Sequence, residues 1–187
     1  MPVGKGLLPT KTPSLLDVRK SDKETIMKKR TRKIALLDRD GTLIFEPQDT
    51  KQVDSVEGIK LLPGVVRGLK LLQEEGFMLV MVSNQDGVGT PAFPLASFEA
   101  VQRKLLEILS KKGVVFDKVF ICPHFEADNC LCRKPNIGLV KEFLSDIQVD
   151  ERQSFMLGDR QSDEEFAENV GVRFIAAETN GVFPEIK

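Results

Sequence analysis

The chain has 187 residues, 41% of them apolar and 29% charged, with a formal net charge of −1 at neutral pH. That is enough chain for one α/β domain with its own core. No apolar run approaches the length of a membrane span, and the leucines among residues 6–16 are broken by prolines with no small-residue cleavage site after them, so neither an anchor nor a signal peptide is expected. Charge is uneven: residues 1–33 hold ten Lys/Arg against three Asp/Glu, while the remainder carries a net −8. We read residues 1–30 as a basic, solvated extension and 31–187 as the folded unit, with nucleic acid not expected as a partner. All three cysteines and the single histidine fall within Cys122–Cys132. An odd, clustered cysteine set argues against a disulfide framework and for a reducing, cytoplasmic setting.

Within the extension, Ser21 and Glu24 have capping-box spacing ahead of a short helix over Lys20–Lys29. Ile34–Asp38 is an apolar run ended by turn residues, the pattern of a buried parallel strand. Residues 44–62 have no clear period and read as a loop or small hairpin over the strand's end. Pro63 starts an amphipathic helix over Val65–Glu75, stopped by Gly76. Phe77–Ser83 is a second buried strand, Leu95–Lys112 a helix, Val114–Cys122 a third strand, and Ile137–Ile147 a helix. Ser154–Leu157 is a fourth strand, a short helix runs from Ser162 to Gly171, and Arg173–Ala176 is a fifth strand. Alternating strand and helix predicts a doubly wound parallel sheet with right-handed crossovers and helices on both faces.

In such a sheet the carboxyl ends of the strands gather at one edge and bind ligands there. The ends carry Asp38 and Asp40, then Ser83 and Asn84, then Lys134 after the third strand, then Asp159. Period-2 geometry points Asp38 and Asp40 the same way and Arg39 the other. Two carboxylates so close suit Mg²⁺, which takes one or two carboxylates plus phosphate oxygens. A carboxylate pair, a hydroxyl, an ammonium and a further carboxylate are what phosphoryl transfer needs for positioning and charge stabilisation. Each piece alone has a plain alternative: Ser83 a strand-end cap, Lys134 a solvated lysine, Asp159 a helix N-cap, Asp163 a residue of a helix's first turn. Their joint occurrence at successive strand tips is what favours a site.

Cys122-Pro-His124-x5-Cys130-Leu-Cys132 offers three thiolates and an imidazole, the donor set of a closed tetrahedral Zn²⁺ site, against an alternative of idle buried thiols. With no open coordination position the metal is expected to be structural, pinning the loop that leads into Lys134.

The order Asp-x-Asp-Gly-Thr, Ser-Asn, Lys-Pro, Gly-Asp-x-x-x-Asp over residues 34–180 resembles the haloacid dehalogenase superfamily of phosphatases. The resemblance implies a Rossmann-like fold, with Asp38 as the nucleophile that forms an aspartyl-phosphate and Asp40 as general acid, then base. It implies that Ser83 hydrogen-bonds the phosphoryl group, that Lys134 balances its charge, that Asn84 belongs to the catalytic set beside them, and that Asp38, the Asp40 carbonyl and Asp159 hold Mg²⁺. The Cys-Pro-His-x5-Cys-x-Cys-Arg-Lys-Pro loop, with Ser-Asn-Gln-Asp-Gly-Val-Gly-Thr at 83–90, is similar to the histidinol-phosphate phosphatases of histidine biosynthesis. In many bacteria that domain is fused to imidazoleglycerol-phosphate dehydratase, so a dehydratase domain or subunit is the partner implied. The heptose bisphosphate phosphatases share the metal loop and are the alternative. Glu126, where the family often has Pro, and the long N-terminal extension are departures. Within the fold a nucleic-acid 3′-phosphatase, and outside enzymology a zinc-stabilised interaction domain, are the competing readings.

The intervals between Asp40 and Ser83 and between Asn84 and Lys134 are filled by the elements already assigned, so no large cap domain is expected. A small phosphorylated substrate then meets an open site edged by loops. Histidinol phosphate is cationic at its amine, so acidic groups at the mouth are expected to help, with Glu46 and Asp86 the candidates.

Overall fold

The computed structural model describes residues 30–186. The helix expected over Lys20–Lys29 lies outside the described residues, as does most of the basic extension. Strands β1 (Thr31–Arg32), β2 (Ile34–Leu37), β3 (Met78–Asn84), β4 (Lys118–Cys122), β5 (Gln148–Val149), β6 (Phe155–Gly158) and β7 (Arg173–Ala176) alternate with helices α1 (Val65–Glu74), α2 (Leu95–Lys111), α3 (Lys141–Asp146) and α4 (Gln161–Val170). Five strands form one parallel sheet in the order β4-β3-β2-β6-β7, and β1 and β5 pair separately. The main sheet is thus doubly wound, with the β2 tip at its centre.

The period-2 alternation of the strands builds two cores. Ala35 and Leu37 of β2, with Leu79 and Met81 of β3, pack beside Val65, Leu69 and Leu72 of α1 and Val101, Leu105 and Leu109 of α2. Ile34, Leu36, Val80, Val82 and Met156 face the other way, toward Val140 and toward Phe166 and Ala167 of α4. All four residues of β2 are fully buried. Burying each large aliphatic is worth about 1.5–3 kcal/mol, so removing one, as in Leu36→Ala, would cost about 2–5 kcal/mol. Register is continuous across the centre, with Leu37 opposite Met81 on one side and Leu157 on the other. From that level β6 runs one residue further, to Gly158, and β3 three, to Asn84, so β3 overhangs the β2 tip.

Three elements differ from the sequence reading. The third strand is shorter, Lys118–Cys122. The carboxylate of Asp117 accepts the Leu79 amide at 2.9 Å, and Val114 turns back to the α2 carbonyl of Leu109, so residues 114–117 are spent on a turn. The fourth helix begins at Lys141 rather than Ile137. Its missing turn is committed to the cysteine loop, where the Gly138 amide donates to the Leu131 carbonyl at 2.9 Å. A Cβ at Gly138 would lie 2.2 Å from that carbonyl oxygen, so the close approach requires glycine. The β1–β5 pair, two residues a side and largely polar, was not expected at all. Residues 44–62 are a loop tied by the Phe45 amide to Lys60 and by the Leu62 amide to Leu43, in keeping with the small hairpin expected.

Candidate active site

β2 delivers Asp38, β3 delivers Ser83, the loop after β4 delivers Lys134, and β6 with the start of α4 delivers Asp159 and Asp163. These residues converge at one end of the sheet. The Lys134 ammonium is buried and lies 2.6 Å from Asp38 Oδ1, 2.6 Å from Asp163 Oδ1 and 2.8 Å from the Val82 carbonyl. Burial alone would lower the pKa of Lys134, but the two carboxylates outweigh it and the net direction is upward. Lys134 is therefore a fixed cation and not a proton carrier. Asp163 is almost fully buried beside a second carboxylate, so desolvation first and the Asp38 charge second push it up to about 6. Its other oxygen accepts the Arg160 amide at 3.1 Å, closing the N-terminus of α4. The sequence gives equal weight to Asp163 as a support for Lys134 or the metal's water and as an ordinary first-turn residue; here its carboxylate meets both the helix end and Lys134.

Asp159 is steadied by Thr179, whose hydroxyl donates to Oδ2 at 2.7 Å, and by Thr42 at 3.3 Å to Oδ1. Burial raises its pKa. Gly41, at φ +76°, passes so near that a Cβ would lie 2.6 Å from Asp159 Oδ2. The Asp-x-Asp-Gly-Thr turn thus needs glycine both for its backbone and for the carboxylate beside it. Carboxylate oxygens of Asp38, Asp159 and Asp163 lie within 4.8 Å of one another. Three carboxylates against one ammonium leave excess negative charge in a buried place, and an all-oxygen donor set of this kind fits Mg²⁺.

β2 ends at Leu37, and in the turn that follows the Asp40 carboxylate lies against Arg39 while lining the same cleft as Asp38. Arg39 Nε donates to Asp40 Oδ2 at 2.9 Å and Nη2 to Oδ1 at 3.1 Å. Arg39 does point away from Asp38, into the α2 side, where Gln102 Oε1 accepts from Nη1 at 3.2 Å and the Phe98 ring lies 5.4 Å away. Gln85 links the halves, accepting from Arg39 Nη2 at 2.8 Å and donating to both Asp40 Oδ2 and Ser83 Oγ. With its oxygen already accepting, the buried Ser83 hydroxyl keeps its proton to donate. Arg39, Gln85 and Gln102 were missed because nothing in their spacing distinguishes them from core or loop residues.

Asn84 braces the lysine's backbone. Its side-chain amide donates to the Lys134 carbonyl at 3.2 Å and its oxygen accepts the Lys134 amide at 3.0 Å, so both ends hold the lysine's backbone. The two mouth candidates line the same cleft as Asp38, Asp40, Ser83 and Lys134, a space of about 160 Å³. Each already has a cation: Glu46 pairs with Arg160 and Asp86 with Arg133. Burial still raises the Glu46 pKa in spite of Arg160. Glu46 is buried, not plain surface charge. Among the described residues no separate cap covers the cleft.

In the loop, Cys122 Sγ lies 3.6 Å from Cys130 Sγ and 3.2 Å from Cys132 Sγ, and His124 Nδ1 lies 3.0 Å from Cys132 Sγ. All three cysteines are free thiols. Tetrahedral Zn²⁺ with 2.3 Å bonds needs sulfur edges of about 3.8 Å, a slight expansion of this cluster, so the residues fit the ion. Burial pushes the Cys122 thiol up to about 12, a proton that a bound metal would displace.

The model of one protein family, described as polynucleotide kinase 3 phosphatase, matches residues 33–180, a span that includes every residue of the cleft and the loop. The chain belongs to that family. Its fold is that of the haloacid dehalogenase phosphatases. The chain is similar to D,D-heptose 1,7-bisphosphate phosphatase from B. bronchiseptica, solved with magnesium and phosphate, at 30% identity and TM-score 0.68, covering 76% of this chain and 78% of that one. Among curated relatives it is 48% identical over 144 residues to the histidine biosynthesis bifunctional protein HisB of Legionella pneumophila (strain Lens), covering 77% of this chain and 41% of the relative. It is 47% identical over 143 residues to HisB of Campylobacter jejuni subsp. doylei, covering 76% of this chain and 41% of the relative. The chain thus spans about two fifths of the length of these relatives. No helix among the described residues is long and apolar enough to cross a membrane.

Proposed function

We propose that this phosphatase domain hydrolyses L-histidinol phosphate to L-histidinol and phosphate through an aspartyl-phosphate on Asp38. The observation that carries this reading is the contrast between two carboxylates two residues apart. Asp38 faces a fixed ammonium and two further carboxylates, while Asp40 lies against Arg39 and Gln85 with an oxygen toward the cleft. Carboxylates held in different environments can divide nucleophile and proton-transfer duties.

In the first half-reaction an Asp38 oxygen bonds to phosphorus as the ester P–O bond breaks, and the leaving oxygen takes the proton of Asp40. In the second, water attacks the phosphorus, Asp40 takes its proton, and the bond to Asp38 breaks. Lys134 neutralises Asp38 before attack and the phosphoryl oxygens after it, and the free Ser83 proton donates to one of those oxygens. Asp38, the Asp40 carbonyl and Asp159 would hold Mg²⁺, which supplies charge neutralisation of the phosphoryl group. Cys122, His124, Cys130 and Cys132 would hold a structural Zn²⁺. The length and naming of the HisB relatives support a second catalytic unit, a dehydratase, beside this domain.

The test is phosphate release from L-histidinol phosphate, D,D-heptose bisphosphate, a 3′-phosphorylated oligonucleotide and p-nitrophenyl phosphate, with Mg²⁺, by the wild type and by Asp38→Asn. Preference for histidinol phosphate, lost in the variant, is the expected result. Preference for the heptose ester, which the similarity to the B. bronchiseptica enzyme favours as second reading, would keep the chemistry and replace the substrate.

A further inference from the structure

Arg39 has no part in the chemistry above, yet it is 0% exposed in the turn that carries both carboxylates. A buried guanidinium is costly unless its donors are satisfied. Here Nε, Nη1 and Nη2 make four hydrogen bonds, two to Asp40 and one each to Gln85 and Gln102. The fork on Asp40 is two-pronged, and such planar pairs fix orientation as well as charge. Gln102 comes from the middle of α2 and is itself anchored, its Nε2 lying 3.3 Å from Met81 Sδ. The plane of the guanidinium is thereby set from the α2 side, away from the cleft.

The consequence falls on Asp40. A carboxylate has roughly four lone-pair sites. Oδ2 takes two of the bonds, from Arg39 Nε and Gln85 Nε2, and Oδ1 takes one, from Arg39 Nη2. Oδ1 is the oxygen with capacity left for a proton.

We propose that Arg39 is a positioning residue for proton transfer: with Gln85 it locks the Asp40 carboxylate so that Oδ1 is the atom presented to the leaving oxygen, and Gln102 holds Arg39 in that plane. The inference rests on the reading of Asp40 as the proton donor. It links an α2 side chain that never meets substrate to the breaking of the ester bond. It also explains why a long cation stands between two catalytic carboxylates without touching Asp38.

Leaving groups separate this role from a structural one. An alkoxide needs the proton as the P–O bond breaks; p-nitrophenolate departs without it. Positioned general acids contribute about 10²–10⁴-fold. Because Asp40 also takes the water proton for both substrates in the second half-reaction, the rate compared is that of the first, read as alcohol or phenol release in a single turnover: we expect Arg39→Lys, which loses the fork, to lower it by about 10–100-fold for L-histidinol phosphate and by less than about 3-fold for p-nitrophenyl phosphate. Gln102→Leu removes no charge and should show the same selective loss, about 3–10-fold, and it decides the matter if Arg39→Lys does not fold by circular dichroism. Asp40→Asn is the reference. If it is selective for the alkyl ester while the Arg39 and Gln102 variants lower both substrates equally, the positioning role is overturned and the Asp40 assignment survives. If Asp40→Asn itself lowers this first-step rate equally for both, the proton-donor reading fails and the inference with it.

Discussion

The carboxylate cluster draws Asp38 from one stretch of the chain and Asp159 and Asp163 from another about 120 residues on, whereas the cysteine cluster draws its four ligands from the eleven residues Cys122–Cys132. The first is assembled by sheet pairing, with apolar cores on both faces of β2 and β6. The second sits in a loop that buries little: Phe125 is 47% exposed and Leu131 79%. One cluster is a product of the fold, and the other must help to make it. Metals should therefore act differently at the two places. At the carboxylates an ion tunes charge in a scaffold that already stands; at the cysteines it supplies the order that the missing core does not.

The sharpest way to break this comparison is to remove the structural metal. Zinc sites of this type contribute on the order of 10 kcal/mol of binding free energy that becomes folding free energy. Cys130→Ser, or a zinc chelator, is expected to abolish amide protection across residues 122–136 while protection in β2 and β3 persists. Turnover should fall with it, because Arg133 and Lys134 continue directly from Cys132. Hydrogen exchange that collapses uniformly over the sheet, or that does not change in the loop, would erase the distinction.

Lys134 belongs to both regions, so its loss is the next largest effect. Lys134→Ala leaves Asp38 and Asp163 facing one another without their cation. Stranding buried charge typically costs about 3–5 kcal/mol, and turnover should be undetectable. Chemical denaturation in the presence and absence of Mg²⁺ would read it, and a stability within error of the wild type would show that the ion pair carries less than its burial suggests.

The carboxylate cluster alone predicts a pH signature. Asp163 titrates near 3.8 when unperturbed and is pushed up to about 6 in the folded chain, first by burial and then by the Asp38 charge. The folded state therefore holds the Asp163 proton more tightly than the unfolded state. Between these values the folded state binds more protons, so this group's contribution to stability falls as pH rises. At about 1.4 kcal/mol per pH unit the cost reaches about 3 kcal/mol by pH 7. In zinc-replete, Mg²⁺-free buffer, Asp163→Asn should gain on the wild type as pH is raised from 4 to 7. A difference in stability between the two proteins that stays constant over that range would sink the assignment.

How much of this could be read from the sequence follows the same division. The Cys122–Cys132 ligands share one short stretch, so spacing alone assembles them. Asp38, Ser83 and Asp159 were legible because each stands at the end of an apolar run, and apolar runs report strands, whereas Lys134 was legible from the Arg-Lys-Pro that closes the cysteine loop. Arg39, Gln85 and Gln102 were not, since a network closed by side-chain hydrogen bonds between a turn, a loop and a helix leaves no periodic trace. The β1–β5 pair was missed for a related reason: Thr31 and Arg32 are exposed, and a two-residue pairing has no hydrophobic pattern. The late start of α3 was hidden because the helical apolar pattern at Ile137 and Val140 is real, while the Leu131 carbonyl's claim on the Gly138 amide is a contact across the metal loop. Asp86 and Glu46 were placed at the cleft correctly, but their arginine partners were invisible without it.

Those partners set the smallest prediction. An acid at the mouth attracts a cationic substrate only with charge that is not already balanced. Asp86 is half exposed and pairs with Arg133, with Oδ2 3.3 Å from Nη2. Exposed pairs are worth about 0–1 kcal/mol and are screened by salt over roughly 10 Å at 0.1 M. Asp86→Asn should therefore raise KM for L-histidinol phosphate only about 2- to 5-fold at low ionic strength, leave KM for p-nitrophenyl phosphate nearly unchanged, and lose even that difference as salt is added. Glu46→Gln should lose less of its effect in salt, because the Glu46 carboxylate is 8% exposed, although its partner Arg160 is 44% exposed. Equal KM changes on both substrates for both variants would mean that the acids serve their arginines alone, and that the cationic end of the substrate is recognised elsewhere in the cleft.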